Sequence, residues 1–164
     1  MLLVSSSVDI IDKKRKDVLI LFEVREYTRN QFSISTDRNR VDVDKVCEFL
    51  KRSYWANERK RETIIKSIEN SICFSLFDGN EQIGIARVIT DGATFAYLCD
   101  VFIDERYRGK QLGSWLLQCI VEHPDIAGVR RFCLVTRDAH EFYKPFGFTP
   151  VSEPEKYMEK MNDR

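Results

Sequence analysis

The stretch from Ile72 to Thr136 leaves few folds open. Ile72-Cys-Phe-Ser-Leu-Phe77 and Gln82-Ile-Gly-Ile-Ala-Arg-Val-Ile89 flank Asp78-Gly79-Asn80, a tight hairpin signal. A third run, Phe95 to Ile103, follows Asp91-Gly92. It passes through a basic, glycine-bearing loop straight into Leu112–Val121, where 112, 116, 119 and 120 share one helical face. That helix ends at His123-Pro124, and Arg131-Phe-Cys-Leu-Val-Thr136 reads as the next strand. Three strands in succession pair antiparallel, whereas a strand–helix–strand unit must cross over and pair in parallel. A mixed-sheet α/β or α+β domain is the expectation.

The flanks fit that frame. Phe32-Ser-Ile-Ser-Thr36 alternates like a strand. Asp42 to Ser53 has Val43, Val46, Phe49 and Leu50 at helical spacing behind Asp42 or Asp44 as N-cap, and Arg59 to Asn70 repeats the pattern with Ile64, Ile65 and Ile68. His140 to Phe146 reads as a short helix and Phe148 to Val151 as the start of a last strand. Residues 1–30, with the basic run Lys13-Lys14-Arg15-Lys16 and a strand-like stretch from Val18 to Tyr27, read as an N-terminal extension of a main domain spanning 31–164. That stretch is expected to bury either Leu19, Leu21 and Val24 or Val18, Ile20 and Phe22, against the domain or in a homodimer.

Composition narrows the function classes. Twenty-six Lys+Arg balance 26 Asp+Glu, so a chain working mainly on nucleic acid or an anionic membrane is not expected. No apolar run approaches the roughly 18 residues of a membrane span. The start, Met1-Leu2-Leu3-Val4 and three serines, lacks the shape of a secretory signal. Five cysteines without a C-x-x-C pair, and two histidines, give no zinc spacing and read as reduced thiols of a cytoplasmic protein without a metal.

The chemistry-bearing segment is Val101-Phe-Ile-Asp-Glu-Arg-Tyr-Arg108-Gly109-Lys110-Gln111-Leu112-Gly113-Ser114. A loop with two arginines, a lysine and small residues opens a helix, whose free N–H groups and partial positive charge suit an anion such as pyrophosphate. A purely structural strand-to-helix turn is the other reading. The loop lacks G-x-G-x-x-G, and Ile85-Ala86 follow Gly84 where a P-loop needs Lys and Ser/Thr.

A second segment, Ala139-His-Glu-Phe142-Tyr143-Lys-Pro-Phe146-Gly147-Phe148, follows the next strand. Taken together and in this order, the two segments resemble the GNAT N-acetyltransferase superfamily, from about Phe32 to the C-terminus. Arg108, Gln111 and Gly113 fall on the fixed positions of its Arg/Gln-x-x-Gly-x-Gly/Ala motif, with glutamine where glycine is usual. Thr136 stands where an asparagine is frequent. Helical φ suits glutamine at 111, whereas a positive φ does not.

The resemblance implies a mostly antiparallel sheet of about six to seven strands flanked by about four helices, and transfer of acetyl from acetyl-CoA to a primary amine in a ternary complex. It implies a cofactor site from Val101, Phe102 and Ile103 through Arg108, Gly109, Lys110, Gln111, Leu112, Gly113 and Ser114 to Thr136, Ala139 and Tyr143. A β-bulge near Asp100-Val101 would free an N–H for the thioester carbonyl, and Tyr143 would protonate the departing thiolate. Asp100, Asp91 and Glu58 are candidate bases, His140 could line the site, and His123 reads as a helix C-terminal dipole partner. Tyr54, Trp55, Phe95 and Tyr97 are the expected acceptor-pocket aromatics. A non-catalytic acyl-CoA-binding module with the same fold is the rival.

Overall fold

The computed structural model describes residues 22–162. Six strands form one sheet in sequence order: β1 (Glu26–Arg29), β2 (Phe32–Ser35), β3 (Ile72–Asp78), β4 (Glu81–Thr90), β5 (Phe95–Ile103) and β6 (Arg131–Leu134). All neighbours pair antiparallel except β5 and β6, which are parallel. Among the described residues five α-helices accompany them: α1 (Val43–Lys51), α2 (Arg61–Glu69), α3 (Leu112–Val121), α4 (Pro124–Ala127) and α5 (His140–Tyr143).

The strand alternation sorts the core onto two faces. Phe74 and Leu76 pack with Ile34, Leu112, Leu116 and Ile120 beneath α3. Cys73, Ile85 and Phe102 pack with Val46, Phe49, Leu50, Ile64 and Ile68 beneath α1 and α2. Asp42 is the cap of α1, its side chain accepting from the Lys45 N–H. Gly84 faces Ile103 across β4 and β5, and a Cβ there would meet the Phe102 carbonyl oxygen at 2.8 Å. Glycine is what lets those strands close at that point.

Three expectations shift. The sheet starts before residue 31: β1 and β2 form a hairpin through Asn30, whose φ is +56°, so the 30/31 boundary falls inside a turn. Phe22 packs on the core while Val24 is exposed, as in the Val18, Ile20 and Phe22 alternative; residues 1–21 lie outside the described residues. The last strand is not formed at Phe148–Val151, where Pro150 has no N–H to give a ladder. Phe148 instead lays its ring against Phe132 and Tyr143.

His123 is a core residue and not a dipole partner at a helix end. It is fully buried edge-on to Phe74, its Nδ1 accepts from the Asp125 N–H at 3.2 Å, and its Nε2 lies 3.1 Å from the Glu23 carbonyl. It therefore caps α4 as a neutral ring protonated on Nε2. Burial lowers its pKa.

Candidate active site

Strands β5 and β6 pair only from Phe95–Arg131 to Leu98–Leu134. Past that point β5 continues to Ile103 without β6, so one edge of its backbone lies open. On the other edge Ile85 pairs Phe102 and Arg87 pairs Cys99, leaving Asp100 and Val101 opposite the single residue Ala86. That is the expected β-bulge. Asp100 there takes φ +52°, a left-handed conformation that costs a non-glycine residue about 1–2 kcal/mol.

What holds the bulge is a buried ion cluster. Asp100 Oδ2 accepts from Arg87 Nε at 2.8 Å and from Arg59 Nη1 at 2.7 Å, while Oδ1 accepts from the Trp55 indole at 3.3 Å. Arg87 spends its remaining reach on Ser67 O and Ser71 Oγ. With three donors on it and its side chain only 2% exposed, Asp100 is fitted to pin the bulge and not to collect a proton from an acceptor.

The loop after β5 is tied down at its start. Buried Asp104 accepts from the Arg106 N–H at 3.0 Å and its Nε at 3.1 Å, and these bonds hold its carboxyl down at about 2. Gly109 then takes φ +80° and Gln111 φ +58°, and α3 starts at Leu112. Position 111 thus needs the conformation that glycine adopts freely, and the glutamine bears the strain. Gly113 keeps the helix start bare, with Phe142 the nearest neighbour a Cβ would meet, at 3.4 Å.

Two cavities flank this junction. The larger, about 780 Å³, is lined by Val101–Ile103, Arg108, Gly109, Gln111–Ser114, Ala139 and Tyr143. The second, about 630 Å³, is lined by Tyr97, Asp100, Thr136, Arg59, Arg87 and Tyr143 among others. Tyr54, Trp55, Val101, Arg137, Asp138, Ala139 and Tyr143 border both. Burial, with a smaller contribution from Tyr54, raises the Tyr143 pKa, so its phenol stays protonated at neutral pH.

Several expected site residues lie elsewhere. Lys110 borders neither cavity; its ammonium sits over the Tyr107 ring and its carbonyl accepts from Arg29. Phe95 lies at the opposite end of β5, beside Arg131. Asp91 closes the β4–β5 turn by accepting from the Ala93, Thr94 and Phe95 amides, with the Thr94 hydroxyl foremost in depressing its pKa. Glu58 borders a separate hollow with Lys60 and Thr63, and His140 borders neither main cavity. Thr136 acts on the backbone: its Oγ accepts from the Ala139 N–H at 3.0 Å and shapes the approach to α5.

Sequence reasoning missed Arg52, Arg59, Arg87 and Arg137 as site residues. An arginine inside the apolar β4 run (Ile85-Ala86-Arg87-Val88) was the available signal for Arg87, since a buried cation requires a partner.

Comparison with known proteins agrees with this geometry. A model of the acetyltransferase (GNAT) family matches residues 42–148. A Gibberella zeae protein described as an acetyltransferase is 31% identical over 79% of this chain and 85% of its own. A Glycine max protein named histone acetyltransferase TAP1 is 30% identical over 73% of this chain, which spans about half of that protein's length (49%). A crystal structure from Xanthomonas campestris pv. campestris, described as a GNAT-family acetyltransferase, superposes with a TM-score of 0.78 at 38% identity, covering 80% of this chain and 93% of its own. With a cleft that opens beside a bulged strand and ends at a helix N-terminus, this chain belongs to the GNAT acetyltransferase family and is a GNAT-type N-acetyltransferase.

Proposed function

We propose that the protein transfers an acetyl group from acetyl-CoA to a primary amine in a ternary complex, with Tyr143 as general acid. One observation carries the reading: Tyr143 and the bulged strand stand where the two cavities meet, so a donor in one and an acceptor in the other share a single phenol. The larger cavity suits coenzyme A in the chemistry of its wall. Open backbone of β5 offers partners to an extended amide chain, and the bare start of α3 with Arg108 beside it offers N–H groups and positive charge to a pyrophosphate.

Acetyl-CoA, when bound, supplies the thioester whose acyl carbon the amine attacks and whose C–S bond breaks. Backbone N–H groups that the Asp100–Val101 bulge takes out of the ladder would meet negative charge on the carbonyl oxygen. The Tyr143 hydroxyl gives its proton to the departing sulfur, and the proton lost by the amine returns to the phenolate through water. Trp55, Tyr54 and Tyr97 wall the acceptor side. Asp100 takes no part in proton transfer in this scheme.

The test is thiol release from acetyl-CoA across polyamines, arylalkylamines, amino acids, aminoglycosides and lysine peptides. Thiol release that requires one class of amine, with mass-verified N-acetyl product, supports the reading. Tight acetyl-CoA binding with no release for any amine contradicts it.

A further inference from the structure

The acceptor cavity carries an unbalanced charge. Arg59 and Arg87 both bond to Asp100 Oδ2, so two guanidiniums share one carboxylate. Arg87 is 6% exposed and has its donors on Asp100, Ser67 and Ser71. Arg59 differs: its side chain is 25% exposed, it uses only Nη1 on Asp100, and its other N–H groups meet no acceptor among the described residues.

The remaining ionic groups on this wall do not supply the missing anion. Asp138 lies 3.4 Å from Arg137, whose guanidinium stacks 3.9 Å from the Tyr54 ring. On its far side Arg59 passes Glu58 and Lys60, which oppose one another in sign. In the next hollow, which Arg59 also borders, Asp44 is held by Arg61 and Glu48 by Lys45 and Arg52. A guanidinium with an unused donor edge, set in a partly desolvated cleft, matches a carboxylate or phosphonate in bidentate geometry. An ammonium-rich acceptor such as a polyamine or a basic protein tail finds here only Asp138, which already faces Arg137, because Asp100 is buried beneath its partners.

Resting on the acetyl-transfer reading, we infer that the acceptor is a primary amine that also bears an anionic group, held by the free edge of Arg59. Asp100 then has a second role as a positioning residue, since the one carboxylate fixes both the bulge and the arginine. Arg59 belongs to the α1–α2 connection, so the anion would tie that connection to β5 and β6 across the cleft.

The experiment titrates CoA-loaded protein by calorimetry with 4-(aminomethyl)benzoate and with 4-(aminomethyl)benzamide, which have the same ring and amine and differ in charge. 3-Aminopropylphosphonate, spermidine and a lysine peptide complete the series. The benzoate should bind about 10–100-fold tighter than the benzamide, the range for a hydrogen-bonded charge. Arg59→Gln should erase that gap and Arg59→Lys restore part of it, with the CoA-dependent thermal shift kept. The phosphonate arm tells whether a carboxylate or a phosphonate-type anion is preferred. Equal affinity for acid and amide in the wild-type protein overturns the inference without any variant, as does tighter binding of spermidine or the lysine peptide. Acid-selective binding without thiol release contradicts acetyl transfer but supports the anion site; thiol release indifferent to the acid does the reverse.

Discussion

The two cavities that meet at Tyr143 are built by different means. The side proposed for the coenzyme is made of backbone: an unpaired strand edge, a bulge, two residues at positive φ and a helix start stripped of side chains. The side proposed for the acceptor is made of side chains from four separate segments, joined by an ion cluster around Asp100. A backbone site can be kept while sequence drifts around it, whereas a side-chain site changes its ligand with one substitution. The difference teaches that one fold can hold its donor constant and exchange its acceptor.

Breaking the backbone side should give the largest effect. Gly113→Glu adds a Cβ at ordinary contact distance from Phe142, so the fold should survive, but its carboxylate enters the cavity beside the helix N-terminus. Acetyl-CoA should raise the melting temperature of the wild-type protein by mass action, and the variant should show no shift. Equal shifts in both would remove the loop from the cofactor site.

The side-chain counterpart is Asp100→Asn. It leaves buried Arg87 and half-buried Arg59 without a counter-charge, a loss of about 3–5 kcal/mol in urea unfolding. A loss under about 1 kcal/mol would show that the cluster does not hold the bulge.

These two sides were not equally legible in the sequence. Arg108, Gly109 and Gly113 sit within six residues, and a strand, a basic loop and a helix in direct succession announce a backbone site. The bulge at Asp100–Val101 and a site role for Tyr143 came only through the resemblance to the family, since nothing in their local sequence marks either. Arg59 and Arg87 lie 41 and 13 positions before Asp100, and only the packing of α1, α2 and β4 brings them together. Hairpin β1–β2 was hidden because its outer strand is short and polar, and Asn30 was its one turn signal. The missing seventh strand shows Thr149-Pro150 overriding an apolar start.

A smaller effect should come from His123, remote from both cavities. The ring is buried neutral, so its folded pKa lies below the ordinary 6.5. As pH falls through that unfolded value, the unfolded chain binds a proton that the folded chain does not, and stability declines. The melting temperature should fall between pH 7.5 and 5, and His123→Gln should show a shallower dependence with both cavities intact. An unchanged slope would place the acid sensitivity elsewhere.

The smallest effect sharpens the backbone side. Gln111→Gly relieves a left-handed residue at the cost of unfolded-chain entropy, for a net gain of about 0.5–1 kcal/mol. Lower stability in the glycine variant would mean that the glutamine side chain offsets its own strain.

The claim that both cavities serve one reaction rests on Tyr143. Its most direct test is the single-turnover and steady-state rate of Tyr143→Phe with a productive amine, beside acetyl-CoA affinity measured by calorimetry. Loss of the hydroxyl alone should lower kcat by roughly 10²–10⁴-fold while cofactor affinity barely moves. An unchanged kcat at saturating amine would contradict the account and leave Tyr143 as an aromatic packed against Phe142 and Phe148.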